Sequence, residues 1–244
     1  MKRRNLLVAA LPALPVWPAA AQTAAATPDA PGLTVPAPLR LLYAIQGRVS
    51  ILPYRASGSL LWNHDGRHYT SRLEVHMALL GAREQLSRGR LTPAGLQPLH
   101  FNDRVHNDRT VEFDYPQGRV RFSEGSAPAT LPAAAQDHLS VFVQLACLIG
   151  SAPANYPRGT DITLPAMGIY GPETWRFVVE GEERLRLPGG ELDTVKLSRP
   201  PHRADEPGAE VWLGPAQGWL PVRIRLSQPN GDFIDQRWRG SEAP

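Results

Sequence analysis

The sequence predicts a mostly β protein: a strongly curved antiparallel sheet, or a partly open β-barrel, with one buried helix at about 137–149. Three observations carry this prediction. Apolar residues recur at every second position through most of the chain, the period of a strand wetted on one face. Turn signals such as Asp65-Gly66, Pro116-Gln117-Gly118, Pro188-Gly189-Gly190 and Pro229-Asn230-Gly231 punctuate those runs at short intervals. One stretch breaks the pattern. In QDHLSVFVQLACLIG, residues 136–150, Leu139, Phe142, Val143, Ala146 and Ile149 repeat at helical spacing, while Val141, Leu145 and Leu148 make the opposite side apolar. A helix apolar all round is a buried helix. Roughly twelve or more short strands around it exceed what a flat sheet carries, and large antiparallel sheets curl, split or close.

The chain opens on a targeting segment. Lys2, Arg3 and Arg4 precede an apolar run from Leu6 to Trp17, and Ala19-Ala20-Ala21 forms a small-residue cleavage site. Residues 1–21 read as a signal peptide with the mature start near Gln22, so the expected location is the periplasm. Arg3-Arg4-Asn5-Leu6-Leu7 also resembles a twin-arginine signal, although ordinary secretion needs no more than these basic residues. Residues 22–38, rich in Ala, Thr and Pro without periodicity, are expected to be a disordered leader. A single β-rich domain is expected over 39–240.

The charge balance changes once the signal is set aside. The chain has 26 Lys+Arg and 23 Asp+Glu, and three of the basic residues lie in the signal, so the remainder is balanced. That removes the main electrostatic motive for binding nucleic acid. The single cysteine, Cys147, cannot form an internal disulfide and sits in the apolar helix, where a thiol behaves as a small hydrophobe. No stretch of the mature chain is long and apolar enough to span a bilayer as a helix.

The strands follow in order. Leu39, Leu41, Tyr43 and Ile45 alternate with polar residues, and residues 56–62 lead into the turn at Asp65-Gly66. The return strand places Tyr69, Leu73, Val75 and Met77 on one face, with Arg72, Glu74 and His76 on the other. Further strands are expected at 85–91, 97–106, 110–115 and 119–122. Asp137 is placed to cap the helix and Gly150 to end it. SVFVQLACLI read alone also fits a buried strand. After the helix, strands are expected at 161–167, 174–180, 183–187, 191–198, 209–213, 219–227 and 232–239.

Three stretches carry a resemblance. Ser87-Arg88-Gly89-Arg90-Leu91-Thr92-Pro93-Ala94-Gly95-Leu96-Gln97-Pro98 resembles a strand, Gly-Leu-x-Pro, strand signature. Asp137-His138-Leu139-Ser140 resembles an Asp-x-Leu-Ser helix start, and Trp219-Leu220-Pro221-Val222-Arg223-Ile224-Arg225 a closing strand. Together they resemble the exported bacterial domain-of-unknown-function family numbered 3108, over roughly 39–240. The resemblance implies a mostly β protein of the bacterial envelope, and it brings no reaction or catalytic residues with it. The architecture is also similar to the half-barrel of outer-membrane lipoprotein carriers, as an analogy of fold alone.

Convergent chemistry is sparse. His100 and His106 are six apart in one strand, about 20 Å at ~3.3 Å per residue, too far to share a metal. His64 and His68 flank the Asp65-Gly66 turn without a third firm ligand, so no metal site is expected. Asp137, His138 and Ser140 are contiguous, whereas a catalytic triad needs side chains converging on an oxyanion site. No cofactor motif is present, and no cofactor is expected.

The leading expectation is therefore a non-catalytic protein that binds a lipid or another apolar or amphipathic envelope molecule on a curved sheet. Tyr43, Trp62, Tyr69, Met77, Phe142, Trp175, Trp212 and Trp238 are its candidate ligand contacts. The alternative is an envelope scaffold with a protein partner. A third reading is an enzyme acting on an envelope glycan through carboxylates such as Glu173 and Glu180.

Overall fold

Period-two alternation becomes one long meander. The computed structural model of the chain describes residues 32–77, 81–124, 127–201 and 204–244. Its first half runs through β1 (Leu39–Val49), β2 (Leu52–His64), β3 (His68–Met77), β4 (Gly81–Thr92), β5 (Gly95–Arg104), β6 (Asp108–Asp114), β7 (Arg119–Phe122) and the short β8 (Ala129–Thr130). The short β9 (Gln136–Asp137) and helix α1 (Ser140–Ser151) follow. The second half is β10 (Asp161–Gly168), β11 (Gly171–Leu187), β12 (Gly190–Arg199), β13 (Gly208–Leu213), β14 (Pro221–Ser227) and β15 (Phe233–Glu242).

These fifteen strands form one sheet, ordered β8-β7-β6-β5-β4-β3-β2-β1-β15-β14-β13-β12-β11-β10-β9. Every pairing is antiparallel except β9 with β10. The first and last long strands meet in the middle, with Tyr43 opposite Trp238 and Arg48 opposite Phe233. The two free edges, β8 and β9, therefore fall side by side in sequence, five residues apart. Side chains bring β9 back to the other half of the sheet. Gln136 Nε2 donates to the Leu96 carbonyl at 2.9 Å, and Ser87 Oγ donates to Asp137 Oδ2 at 2.5 Å.

The helix lies inside this curved sheet and divides the core. Leu139, Val143 and Cys147, four apart, pack with Leu41, Tyr43, Leu60, Trp62 and Phe101 of the first half. Val141, Phe142, Leu145 and Ile149 pack with Leu164, Phe177, Leu197, Val211 and Ile224 of the second. Each such side chain contributes roughly 1.5–3 kcal/mol of transfer free energy, so the partition itself is a large part of what holds the two halves together. A third cluster, Leu185, Leu187, Trp212 and Val222, lies apart from both.

Several local expectations are corrected. The helix begins at Ser140 rather than near 137. Asp137 is in β9, and its Oδ1 accepts from the backbone N–H groups of Leu139 and Ser140 at 2.8 and 2.7 Å. It thus satisfies the approach to the helix instead of occupying the cap position. Gly150 lies within the helix, which ends at Ser151. Its missing side chain admits the Trp219 ring, which a Cβ would meet at 2.7 Å.

Residues 174–187 are one strand, β11, rather than two. A bulge at Gly181, φ +109°, shifts the register without ending the strand. The hairpin between β1 and β2 was not expected as a turn, because its central pair, Ser50-Ile51, carries no Gly, Asn or Asp. Of the expected leader, residues 22–31 lie outside the described residues. Leu33 and Val35 instead pack on the core, and the Pro36 carbonyl accepts from Trp62 Nε1 at 2.8 Å. The signal segment also lies outside the described residues.

Candidate functional site

In a meander, alternate turns share one end. The β1–β2 and β5–β6 connections therefore lie together, at the end where β3 finishes and β4 begins. The pairing of Arg48 with Phe233 brings the β14–β15, β12–β13 and β10–β11 connections to the same end. A cavity of about 500 Å³ opens there.

Strand alternation builds its wall. Leu73, Val75 and Met77 come from β3, Leu226 from β14, Ile234 and Gln236 from β15, Trp175 from β11, and Phe142 from the first turn of the helix. The lining also includes Arg48, Tyr54, Arg83, His138, Glu173, Arg199, Asp232 and Phe233. Of this lining, Leu73, Val75, Phe142 and Trp175 are buried, whereas Arg48 and Arg83 are exposed.

Four of the lining residues form one unit. His138 Nε2 donates to Glu173 Oε1 at 3.1 Å, and Trp175 Nε1 donates to Glu173 Oε2 at 2.7 Å. The His138 ring stacks on Trp175, with centroids 4.8 Å apart and planes 26° from parallel. On Trp175 also lies the Arg199 guanidinium, its Cζ 4.7 Å from the ring centroid, a cation–π contact. Arg199 approaches Glu173 Oε2 to 4.0 Å and donates to the Pro207 carbonyl at 2.9 Å. Gly168 makes this packing feasible, because a Cβ there would stand 2.6 Å from His138 and 2.7 Å from Glu173 Oε1.

The electrostatics follow from these contacts. Burial alone would raise the Glu173 carboxyl, but the His138 hydrogen bond and charge, the Trp175 N–H and Arg199 outweigh it, so its pKa is lowered. Burial lowers the Arg199 guanidinium, against the opposing pull of Glu173 and Glu206. Across the cavity Arg83 holds Asp103 through two bonds, Nε to Oδ1 at 2.9 Å and the terminal nitrogen to Oδ2 at 2.5 Å. Gln85 adds a third bond to that carboxylate at 3.1 Å. Gln236 is buried on the wall, and its Oε1 has no hydrogen-bond partner among the described residues. Buried polar atoms normally have one.

This arrangement suits binding. Glu173 is held in a salt-bridged and stacked cluster. Glu180, its expected partner carboxylate, lies seven residues along β11, about 23 Å at ~3.3 Å per residue, and accepts from Ser198 Oγ. Among the described residues no group of three or more His, Cys, Asp or Glu is placed to hold a metal ion.

The eight residues expected as ligand contacts separate. Met77, Phe142 and Trp175 line the cavity. Tyr43, Trp62 and Tyr69 are buried in the first core cluster, where the Tyr43 hydroxyl donates to the Pro221 carbonyl at 2.6 Å. Trp212 alternates with Val211 and Leu213 and so occupies the opposite face of β13, between Lys196 and Arg223. Trp238 is half-buried, and its Nε1 donates to Ser241 Oγ. Sequence reasoning missed Arg83, Arg199, Ile234 and Gln236. Arg199 and Ile234 sit at the edges of turn-rich stretches, where no local period marks the inner face.

The family model described as "Protein of unknown function (DUF3108)" matches residues 53–236. The chain belongs to this family. No curated protein sequence matches it. The DUF3108 domain is similar to a solved β-barrel-like protein of domain of unknown function DUF1849 from Brucella abortus, with a TM-score of 0.57 and 11% identity, covering 87% of this chain and 99% of that one. This shows a shared fold. A DUF1329 family protein from Desulfovibrio piger, at a TM-score of 0.33 and 13% identity, covers 85% of this chain and 86% of its own. A domain provisionally assigned to outer membrane lipoprotein sorting, from Vibrio parahaemolyticus, has a TM-score of 0.29 at 9% identity and covers 85% of each chain. At those scores neither likeness carries an argument.

The three family-like stretches of the DUF3108 domain meet around the helix. Leu96 N–H donates to Gln144 Oε1 at 2.8 Å, and Gly95 brings the turn close, since a Cβ there would stand 2.4 Å from that oxygen. Asp137 is fully buried, bonded to Ser87, Leu139 and Ser140. Burial raises its carboxyl pKa against the pull of those bonds. Trp219 takes a left-handed backbone, φ +66°, to lay its ring on Gly150. These stretches hold the barrel around the helix, and only His138 among their residues reaches the cavity.

Proposed function

We propose that this β-rich domain is a periplasmic binding protein that takes an amphipathic envelope molecule, apolar chain inward, into the cavity beside the helix N-terminus. The observation that carries the reading is the amphipathic lining of the cavity. Leu73, Val75, Phe142, Leu226 and Ile234 share the lining with Arg48, Arg83, His138 and Arg199. The volume of about 500 Å³ lies within the range of roughly 300–1,000 Å³ common for small-molecule sites. The periplasmic address rests on the basic and apolar segment at residues 2–21.

Protein purified from an exporting bacterial host is subjected to native mass spectrometry, and the stripped protein to titration with a fluorescent fatty acid. The expected result is a co-purifying lipid-sized mass, and saturable fluorescence that Ile234→Trp abolishes by filling the cavity. Absence of both a bound mass and saturable fluorescence overturns the proposal.

A further inference from the structure

The end of the barrel that carries the cavity also carries the exposed apolar side chains. Among the described residues, the exposed large hydrophobic residues are Val49, Ile51, Leu52, Val105 and Tyr170. Val49, Ile51 and Leu52 form the β1–β2 tip, Val105 lies in the β5–β6 turn and Tyr170 in the β10–β11 turn. All three turns are on the cavity's end, as the alternation of the meander requires. The turns of the opposite end expose none.

The β1–β2 hairpin also extends beyond the last pairings of its described neighbours. Among the described residues β2 last pairs with β3 at Ala56–Met77, and residues 52–55 continue about 13 Å beyond that pairing at ~3.3 Å per residue. On the other side the last pairing is Arg48–Phe233. The base of the finger is braced: Arg48 donates to the Gly231 carbonyl at 2.5 and 3.2 Å, and Ser50 N–H donates to Asp232 Oδ1 at 2.6 Å. Tyr54 lies across Gly47, where a Cβ would meet its ring at 2.4 Å. The tip is therefore a supported structure that holds Ile51, 86% exposed, and Leu52, 70% exposed, out in solvent.

We infer that this rim docks the domain onto the surface of an anionic phospholipid bilayer, with the β1–β2 tip inserted. The apolar groups sit on separate turns at one end rather than on a continuous face, which suits a fluid acceptor better than a shaped protein groove. The finger Arg48-Val49-Ser50-Ile51-Leu52-Pro53-Tyr54-Arg55 has two arginines and no acidic residue, complementary to anionic headgroups. Apolar insertion combined with basic charge is the pairing that gives stable peripheral attachment. Tyr170 and Arg109 add a second anchor of the same kind, with Arg109 donating to the Tyr170 hydroxyl at 2.9 Å. The inference stands whether or not the cavity holds a ligand.

The test places an environment-sensitive fluorophore on a cysteine at either end of the barrel. Ile51→Cys carries it on the docking rim, and Gln117→Cys in the β6–β7 turn at the far end. Vesicles of phosphatidylethanolamine and phosphatidylglycerol should raise and blue-shift the emission at position 51 only, and nitroxide-labelled lipid should quench it. No change at 51, or equal changes at both positions, overturns the inference. So does a change at 51 that follows protein concentration without vesicles, which would assign the rim to a second copy of the chain. The double variant Ile51→Asp, Leu52→Asp should keep its melting temperature and lose vesicle co-sedimentation about tenfold or more. Unchanged co-sedimentation overturns the inference as well.

Discussion

Gln144 reaches from the buried helix to accept the backbone N–H of Leu96 at 2.8 Å, across a turn that Gly95 keeps close. Leu96 is a sheet residue whose N–H and C=O are both claimed by side chains from the helix segment, Gln144 and Gln136. Gln144→Leu should cost about 1–3 kcal/mol, because it leaves a buried N–H unpaired. Gly95→Ala should cost more, since it adds a left-handed strain, φ +121°, to a clash with Gln144. Urea titration of both variants measures this, and a Gly95→Ala midpoint equal to wild type would refute the close approach.

The helix as partition makes unequal demands on its two apolar positions. Leu145 is fully buried, and Phe142 borders the cavity. Phe142→Ala should cost roughly 3 kcal/mol, the lower end for a buried aromatic, because one side of the ring already faces open space. Leu145→Asp buries a charge in the second cluster and should cost more than that. Thermal melts decide it; a tolerated Leu145→Asp would mean the helix leaves the core.

Two carboxyls give stability opposite pH slopes. Asp137 has a raised folded pKa, so the native state holds the proton more tightly than the unfolded chain. Its effect is a loss of stability as pH rises from the ordinary carboxylate value, about 3.9, through the folded value. Glu173 has a lowered folded pKa, so its stabilisation is present above the ordinary value and is lost as pH falls through the folded one. Urea midpoints measured from about pH 2 to pH 7 should show Asp137→Asn removing the falling slope and Glu173→Gln removing part of the acid loss. Identical profiles for wild type and both variants would contradict the assigned directions.

Cys147 is fully buried in the first cluster, and burial pushes its thiol up to about 12. The thiolate is the reactive form, so the native protein should resist a thiol reagent that labels it at once in denaturant. Rapid native labelling would expose the helix.

The elements that were legible in the sequence are those with a local period. The helical spacing of Leu139, Phe142, Val143, Ala146 and Ile149 announced a buried helix, and Leu73, Val75 and Met77 announced an inward strand face. The expected strands 174–180 and 183–187 are one strand that continues through Gly181 as a bulge. The Ser50-Ile51 turn was invisible because its apolar flank reads as core and becomes surface only at a projecting tip. The cavity was legible only as an apolar concavity. Arg199 and Gln236 reach it through pairings distant in sequence, which no window on the chain contains.

The pairing of β1 with β15 has a consequence for how the chain is made. Arg40 faces Glu242, about as far apart in sequence as the domain allows. Until the last strand has left the ribosome, β1 has only β2 beside it, and the two half-sheets share no sheet hydrogen bonds. Both halves present inward apolar faces during that interval, each with one edge waiting. Closing a loop of this length is slow relative to zipping adjacent hairpins. The helix is synthesised midway, between the halves, and offers each of them an apolar surface before the final strand arrives. The residues that divide the finished core are thereby also the first partners either half can find.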